Sequence, residues 1–193
     1  MGLFLLDCFS LILLYEEKFV CFIKKDAAIQ NDYIINKNGE NLMNKYMRMA
    51  INEARKGIKL GHGGPFGAVI VKDGVVVGKG HNQVLKNNDP TCHGEMMAIH
   101  KACKKLGTFD LSGCELYTTG EPCPMCMSAI LWANIDKVYY GCNIIDTEGI
   151  GFRDKKFYDM QRPGEREKLV MELDRKACLK LYGEYMNLTH QLY

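Results

Sequence analysis

The stretch that most limits what this chain can become runs from Asp89 to Cys126, opening Asp-Pro-Thr-Cys-His-Gly-Glu and closing Glu-Pro-Cys-Pro-Met-Cys. It supplies one imidazole at His93, an acid two residues on at Glu95, and a Cys-x-x-Cys pair at Cys123 and Cys126. One imidazole and two thiolates suit a borderline-soft ion such as zinc, and three protein ligands leave the fourth tetrahedral position to water. That count marks a catalytic site rather than a closed structural one. The sequence therefore predicts one zinc per chain, held by His93, Cys123 and Cys126, with water or hydroxide as the fourth ligand. Glu95 reads as a general acid/base, because residues two apart do not share a helix face. Near a helix start the two fan around the opening and reach one pocket from different sides.

Taken alone, a Cys-x-x-Cys pair is also a redox pair or half of a structural zinc site. A closed four-ligand site needs another donor. Cys92 is the candidate, yet adjacent residues rarely point at one metal. His-x-Glu upstream of Pro-Cys-x-x-Cys is instead the signature of zinc-dependent base deaminases. A non-catalytic zinc-binding module, with Cys92 engaged, is the alternative from a different class.

A length of 193 residues suffices for one domain with a sizeable core. Lys and Arg total 25 against 23 acids, and a net charge of +2 gives no global reason to expect a nucleic-acid partner. Two of the nine cysteines are assigned to metal. The others (Cys8, Cys21, Cys92, Cys103, Cys114, Cys142 and Cys178) lack a disulfide-framework spacing, which suits buried thiols in a reducing cytoplasm. Gly2 to Tyr15 is apolar but too short to span a membrane, and it lacks the basic start and cleavage site of a signal peptide.

Residues up to Asn41 turn polar, and Asn-Lys-Asn-Gly-Glu-Asn reads as a linker. Residues 1–42 are accordingly expected to be an appendage, with the functional domain and its C-terminal tail in 43–193. From Asn44 to Leu60, apolar residues recur at helical spacing. Phe66 to Val71 and Val75 to Gly80 read as strands joined at Asp73-Gly74, a hairpin signal. Asp89-Pro90-Thr91 opens a helix ending at Gly107, Glu115 to Thr119 is a strand, and a helix follows Pro122. Lys137 to Cys142 is a fourth strand and Asn143 to Asp159 a long lid or binding loop. Lys168 to Leu173 reads as a short fifth strand before a helix through Ala177, Leu181 and Tyr185. Both metal-bearing helices begin where strands end, as sites of open α/β sheets do. Three residues read two ways: Asn82 as turn cap or ligand contact, Trp132 as core or substrate contact, Asp154 as surface charge or part of a binding loop.

From the first helix near Met43 into the tail, the chain resembles the cytidine-deaminase-like superfamily, and within it the bacterial guanine deaminases. Beside the metal motif, the resemblance rests on Gly-Gly-Pro-Phe-Gly-Ala-Val-Ile-Val from Gly63, Asn-Asp-Pro-Thr from Asn88, Ile-Leu-Trp-Ala from Ile130 and Gly-Phe-Arg-Asp from Gly151. It implies an α/β fold, a three-layer α-β-α sandwich around a mixed five-stranded sheet, and hydrolysis of guanine to xanthine and ammonia. It implies that Asn82 hydrogen-bonds the base, that Phe66 and Trp132 help form its pocket, and that Asp154 assists Glu95 in proton transfer. It also implies a homodimer whose C-terminal segment, ending at Tyr193, lies across the partner's site. Two positions depart from the family pattern. Gly94 stands where Ala is commoner, so that His-Gly-Glu resembles fungal cytosine deaminase, and Arg153 stands where an acid often does. The tRNA adenosine deaminases and cytosine deaminases share the zinc chemistry and are the nearest alternatives; the former need a basic surface and a seat for an extruded base.

Overall fold

The computed structural model pairs strands β1 (Tyr33–Ile35) and β2 (Asn41–Asn44) antiparallel, one on each side of the stretch read as a linker, whose residues 36–40 lie outside the described residues. Residues 33–35, 41–162, 172–173 and 175–187 are described. The chain divides into two compact units, Met1–Arg48 and Met49–Tyr193. The metal motif lies in the second.

Helix α1 (Lys45–Lys59) runs across that boundary, and the main sheet of the second unit follows it. Its strands are β3 (Gly67–Lys72), β4 (Val75–His81), β5 (Cys114–Gly120) and β6 (Lys137–Cys142), in the order β4-β3-β5-β6. β3 is antiparallel to both β4 and β5, while β5 and β6 are parallel. The β3–β4 turn holds Asp73 at φ 49° and Gly74 at φ 78°, the left-handed pair that a two-residue hairpin requires. After β4 come α2 (Val84–Asn87) and α3 (Gly94–Leu106), and after β5 comes α4 (Pro124–Trp132).

Register decides which side chains face which helix. Ala68 pairs with Gly80 and Thr118, and Ile70 with Gly78 and Leu116, so these six share a sheet face. On that face Ala68, Ile70 and Leu116 join Ala98, Ile99 and Ala102 of α3 and Ile130 of α4 in one buried core. α3 lies close because β4 carries glycines there. A Cβ on Gly78 would sit 2.3 Å from the Ala98 carbonyl, and one on Gly80 would sit 2.4 Å from that of Gly94. On the opposite face a Cβ on Gly67 would meet the Ala50 carbonyl of α1 at 2.2 Å. Helices thus cover both faces, giving the three layers expected. Gly80→Ala is expected to cost about 1–3 kcal/mol by overpacking, read as a lowered melting temperature, because backbone rather than a flexible side chain must yield.

The sheet has four strands among the described residues, not five, because most of Lys168 to Leu173 lies outside them. The tail helix forms as α7 (Arg175–Met186). Asn143 to Asp159 is not one loop, for it contains α5 (Ile144–Gly149) and α6 (Asp154–Asp159). Both are too short for apolar periodicity, but α5 opens with a capping box. The Asn143 side chain accepts from the Ile145 and Asp146 amides, and Asp146 accepts from the Asn143 amide. Among the described residues the cysteines are all free. No described helix is long and apolar enough to cross a membrane.

Candidate active site

His93 and Cys123 occupy the same local position, the N-cap of a helix: His93 heads α3 and Cys123 heads α4. Cys126 stands in the first turn of α4, fully buried. His93 Nδ1 lies 3.6 Å from Cys123 Sγ and 3.6 Å from Cys126 Sγ. All three donor atoms lie within 4.8 Å of one another. A tetrahedral zinc with Zn–N of about 2.0–2.1 Å and Zn–S of about 2.3 Å sets N and S donors about 3.6 Å apart, so the residues fit the ion.

Electrostatics agree with the distances. Cys126 donates to Cys123, which with help from His93 holds Cys123 down at about 4. The same hydrogen bond, together with burial, pushes Cys126 up. Ionising both thiols takes a cation among them. Cys92, the remaining candidate for a closed site, is engaged elsewhere, accepting from Asn87 Nδ2 at 3.3 Å and donating to Asp89 Oδ2 at 3.5 Å.

Glu95, in the first turn of α3, is 4% exposed. Thr118 Oγ1 donates to its Oε1 at 3.2 Å, while its Oε2 faces Cys126 Sγ at 3.6 Å. Burial raises its pKa, opposed by the neighbouring His93. Thr118 was not singled out in the sequence. A threonine at alternate spacing on a buried strand reads as packing until the register places it beneath α3.

A cavity of about 610 Å³ opens over this cluster and brings Phe66, Asn82, His93, Glu95, Cys123 and Asp154 together. Asn82 answers to both of its readings. It caps the following turn, with Oδ1 accepting from the Val84 amide at 3.1 Å, and it also lines the cavity. Phe152 packs edge-on against Phe66, with centroids 4.8 Å apart at 82°. Asp154 begins α6, and burial first, then the charge of Cys123, raises its pKa. Arg153 lines the cavity as well, its guanidinium 5.6 Å from the Phe157 ring centroid.

Trp132 does not join them. The inward face of α4 carries Cys126 and Ile130, and two residues beyond Ile130 the chain has turned away, leaving Trp132 65% exposed. Tyr193 lies outside the described residues. Glu121, whose Oε2 accepts from the Ile144 amide at 3.0 Å, and Phe152 line the cavity too. Both stood inside quoted motifs, but nothing in the sequence gave them a separate role.

One imidazole and two thiols delivered by helix starts beside a buried carboxylate define a class, the zinc-binding deaminases. The chain belongs to the cytidine and deoxycytidylate deaminase family, whose zinc-binding region matches residues 40–142. Guanine deaminase of Bacillus subtilis (strain 168) is 47% identical over 121 residues, spanning 62% of this chain and 78% of that protein. The X-ray structure of the guanine deaminase from Bacillus subtilis matches with a TM-score of 0.72 at 39% identity, covering 78% of this chain and 99% of that one. A solved guanine deaminase from Nitrosomonas europaea gives a TM-score of 0.55 at 29% identity, over 63% of this chain and 67% of that one. A tRNA-specific adenosine deaminase of Aquifex aeolicus (strain VF5) is 38% identical over 133 residues, or 62% of this chain and 87% of that protein.

Proposed function

We propose that this chain hydrolyses guanine to xanthine and ammonia. One observation carries the reading: Glu95 is buried beside the His93, Cys123 and Cys126 donors, under a cavity of small-molecule size. The similarity to Bacillus subtilis guanine deaminase, at higher identity than to the Aquifex aeolicus tRNA enzyme, supports guanine as the base. His93, Cys123 and Cys126 would hold one zinc ion per chain with water completing its ligands, and the ion would supply a nucleophile at neutral pH by lowering the pKa of that water to about 7.

The chain's own groups do the remaining work. Glu95, held by Thr118 through one oxygen and raised in pKa by burial, takes a proton from the attacking water and passes it to ring N3 as C2 is attacked. It then helps protonate the departing amine. Asp154 holds the amino side of the ring and relays a proton. Asn82 spends Oδ1 on the Val84 amide, which leaves its Nδ2 donors for a ring acceptor. Phe66, braced by Phe152, offers a ring face to the purine.

Ammonia release by the zinc-loaded protein from guanine, cytosine, adenine and an anticodon RNA hairpin, side by side, tests the assignment. Release from guanine alone is expected. Release from the RNA alone would overturn the substrate and leave His93, Glu95, Cys123 and Cys126 in their roles.

We further propose a homodimer. Trp132 and Leu131, 65% and 64% exposed, support a surface between copies, with the C-terminal segment and Tyr193 reaching the partner's cavity. Residues 43–193 would form the deaminase domain, with 1–42 an appendage, and the free cysteines suit the cytoplasm. Sedimentation and turnover of the full chain, and of one beginning at Met43, test both: a monomeric full chain sinks the dimer, and an inactive truncation sinks the boundary.

A further inference from the structure

Helix α6 carries Asp154 to the cavity and touches α4 and α5, yet none of its residues is fully buried. Its pairs of Asp159 with Lys155 and with Arg162 lie on the surface. The side-chain hydrogen bond that ties it inward comes from Tyr158, whose hydroxyl donates to the Pro122 carbonyl at 2.6 Å. Pro122 is buried and directly precedes Cys123, the N-cap of α4. Asp154 and Tyr158 stand four apart and share one face of α6. One hydroxyl therefore bridges the helix that presents Asp154 and the segment that presents Cys123.

We propose that Tyr158 is a positioning residue, whose hydroxyl, by holding the Pro122 carbonyl, sets α6 at the height that presents Asp154 to the substrate. The inference rests on the reading of Asp154 as a proton-transfer group. Removing the hydroxyl leaves the aromatic ring in place and strands the buried Pro122 carbonyl whenever α6 is seated, so the seated helix becomes less populated.

The test compares the wild type, Tyr158→Phe, Asp154→Asn and the double variant for kcat and KM on guanine, zinc content, melting temperature and amide exchange across α6. Tyr158→Phe is expected to lose about tenfold in kcat, with faster exchange in α6 and an unchanged zinc content. The double variant is expected to be no slower than Asp154→Asn alone. Full activity of Tyr158→Phe alongside an impaired Asp154→Asn overturns the inference and spares the role of Asp154. Multiplying losses in the double variant, or loss of zinc from Tyr158→Phe, also overturn it. Full activity of Asp154→Asn removes the reading on which it rests. If Tyr158→Phe melts early, amide exchange in α6 decides at a temperature where both proteins are folded, and unchanged exchange overturns the inference.

Discussion

Glu95→Gln is expected to lose turnover by about 10²–10⁴-fold while keeping its zinc. The substitution conserves shape, and a Gln Oε1 accepts from Thr118 Oγ1 as Glu95 does at 3.2 Å. What it removes is the capacity to take up and release a proton, the one task assigned to a carboxylate that is 4% exposed. Removing a buried acid also relieves its desolvation, so the melting temperature is expected to hold or rise. Metal analysis and steady-state kinetics on one preparation check both halves. Zinc lost together with activity would make Glu95 a ligand. Activity retained would place the proton carrier elsewhere.

Cys126→Ser is expected to remove zinc and activity together. Cys126 is fully buried and provides one of the three donors that cluster within 4.8 Å of one another. A hydroxyl is a poor substitute for a thiolate toward a borderline-soft ion. The wild type stripped by a chelator should behave in the same way and recover when zinc is returned. Its stability should fall by about 4 kcal/mol relative to protein in free zinc at 1,000 times the dissociation constant. Zinc kept by Cys126→Ser would point to another donor. Cys92 is poorly placed to be one, since its thiol is engaged by Asn87 and Asp89.

How much of this was legible in the residues follows from where each signal lives. The cluster of His93, Cys123 and Cys126 with Glu95 beside it was legible from local spacing, whereas the helix read as opening at Asp89 begins at Gly94 with His93 as its cap. The β3–β4 turn was equally local, because Asp73-Gly74 has few alternatives. Three features needed the assembled chain. Thr118 reaches Glu95 only through register, when β3 sets it beside Ala68 on the face that α3 covers. Tyr158 meets a carbonyl 36 residues away, a distance no periodicity reports. Trp132 was linked to the substrate by family likeness, and within one chain it faces outward because Cys126 and Ile130 claim the inner side of α4. The helices at 144–149 and 154–159 escaped for a different reason. They are six residues each, the first opened by a capping box and the second tied inward by the Tyr158 hydroxyl, beneath the length at which a hydrophobic pattern can be read.

The most direct measurement follows guanine and the zinc-loaded protein in ¹⁸O-enriched water, with the product weighed by mass spectrometry and ammonia quantified in parallel. Hydrolytic deamination requires xanthine carrying one solvent oxygen for each ammonia released, and no product from the zinc-free protein. Ammonia without oxygen incorporation, or guanine left intact by a fully zinc-loaded chain, would contradict it.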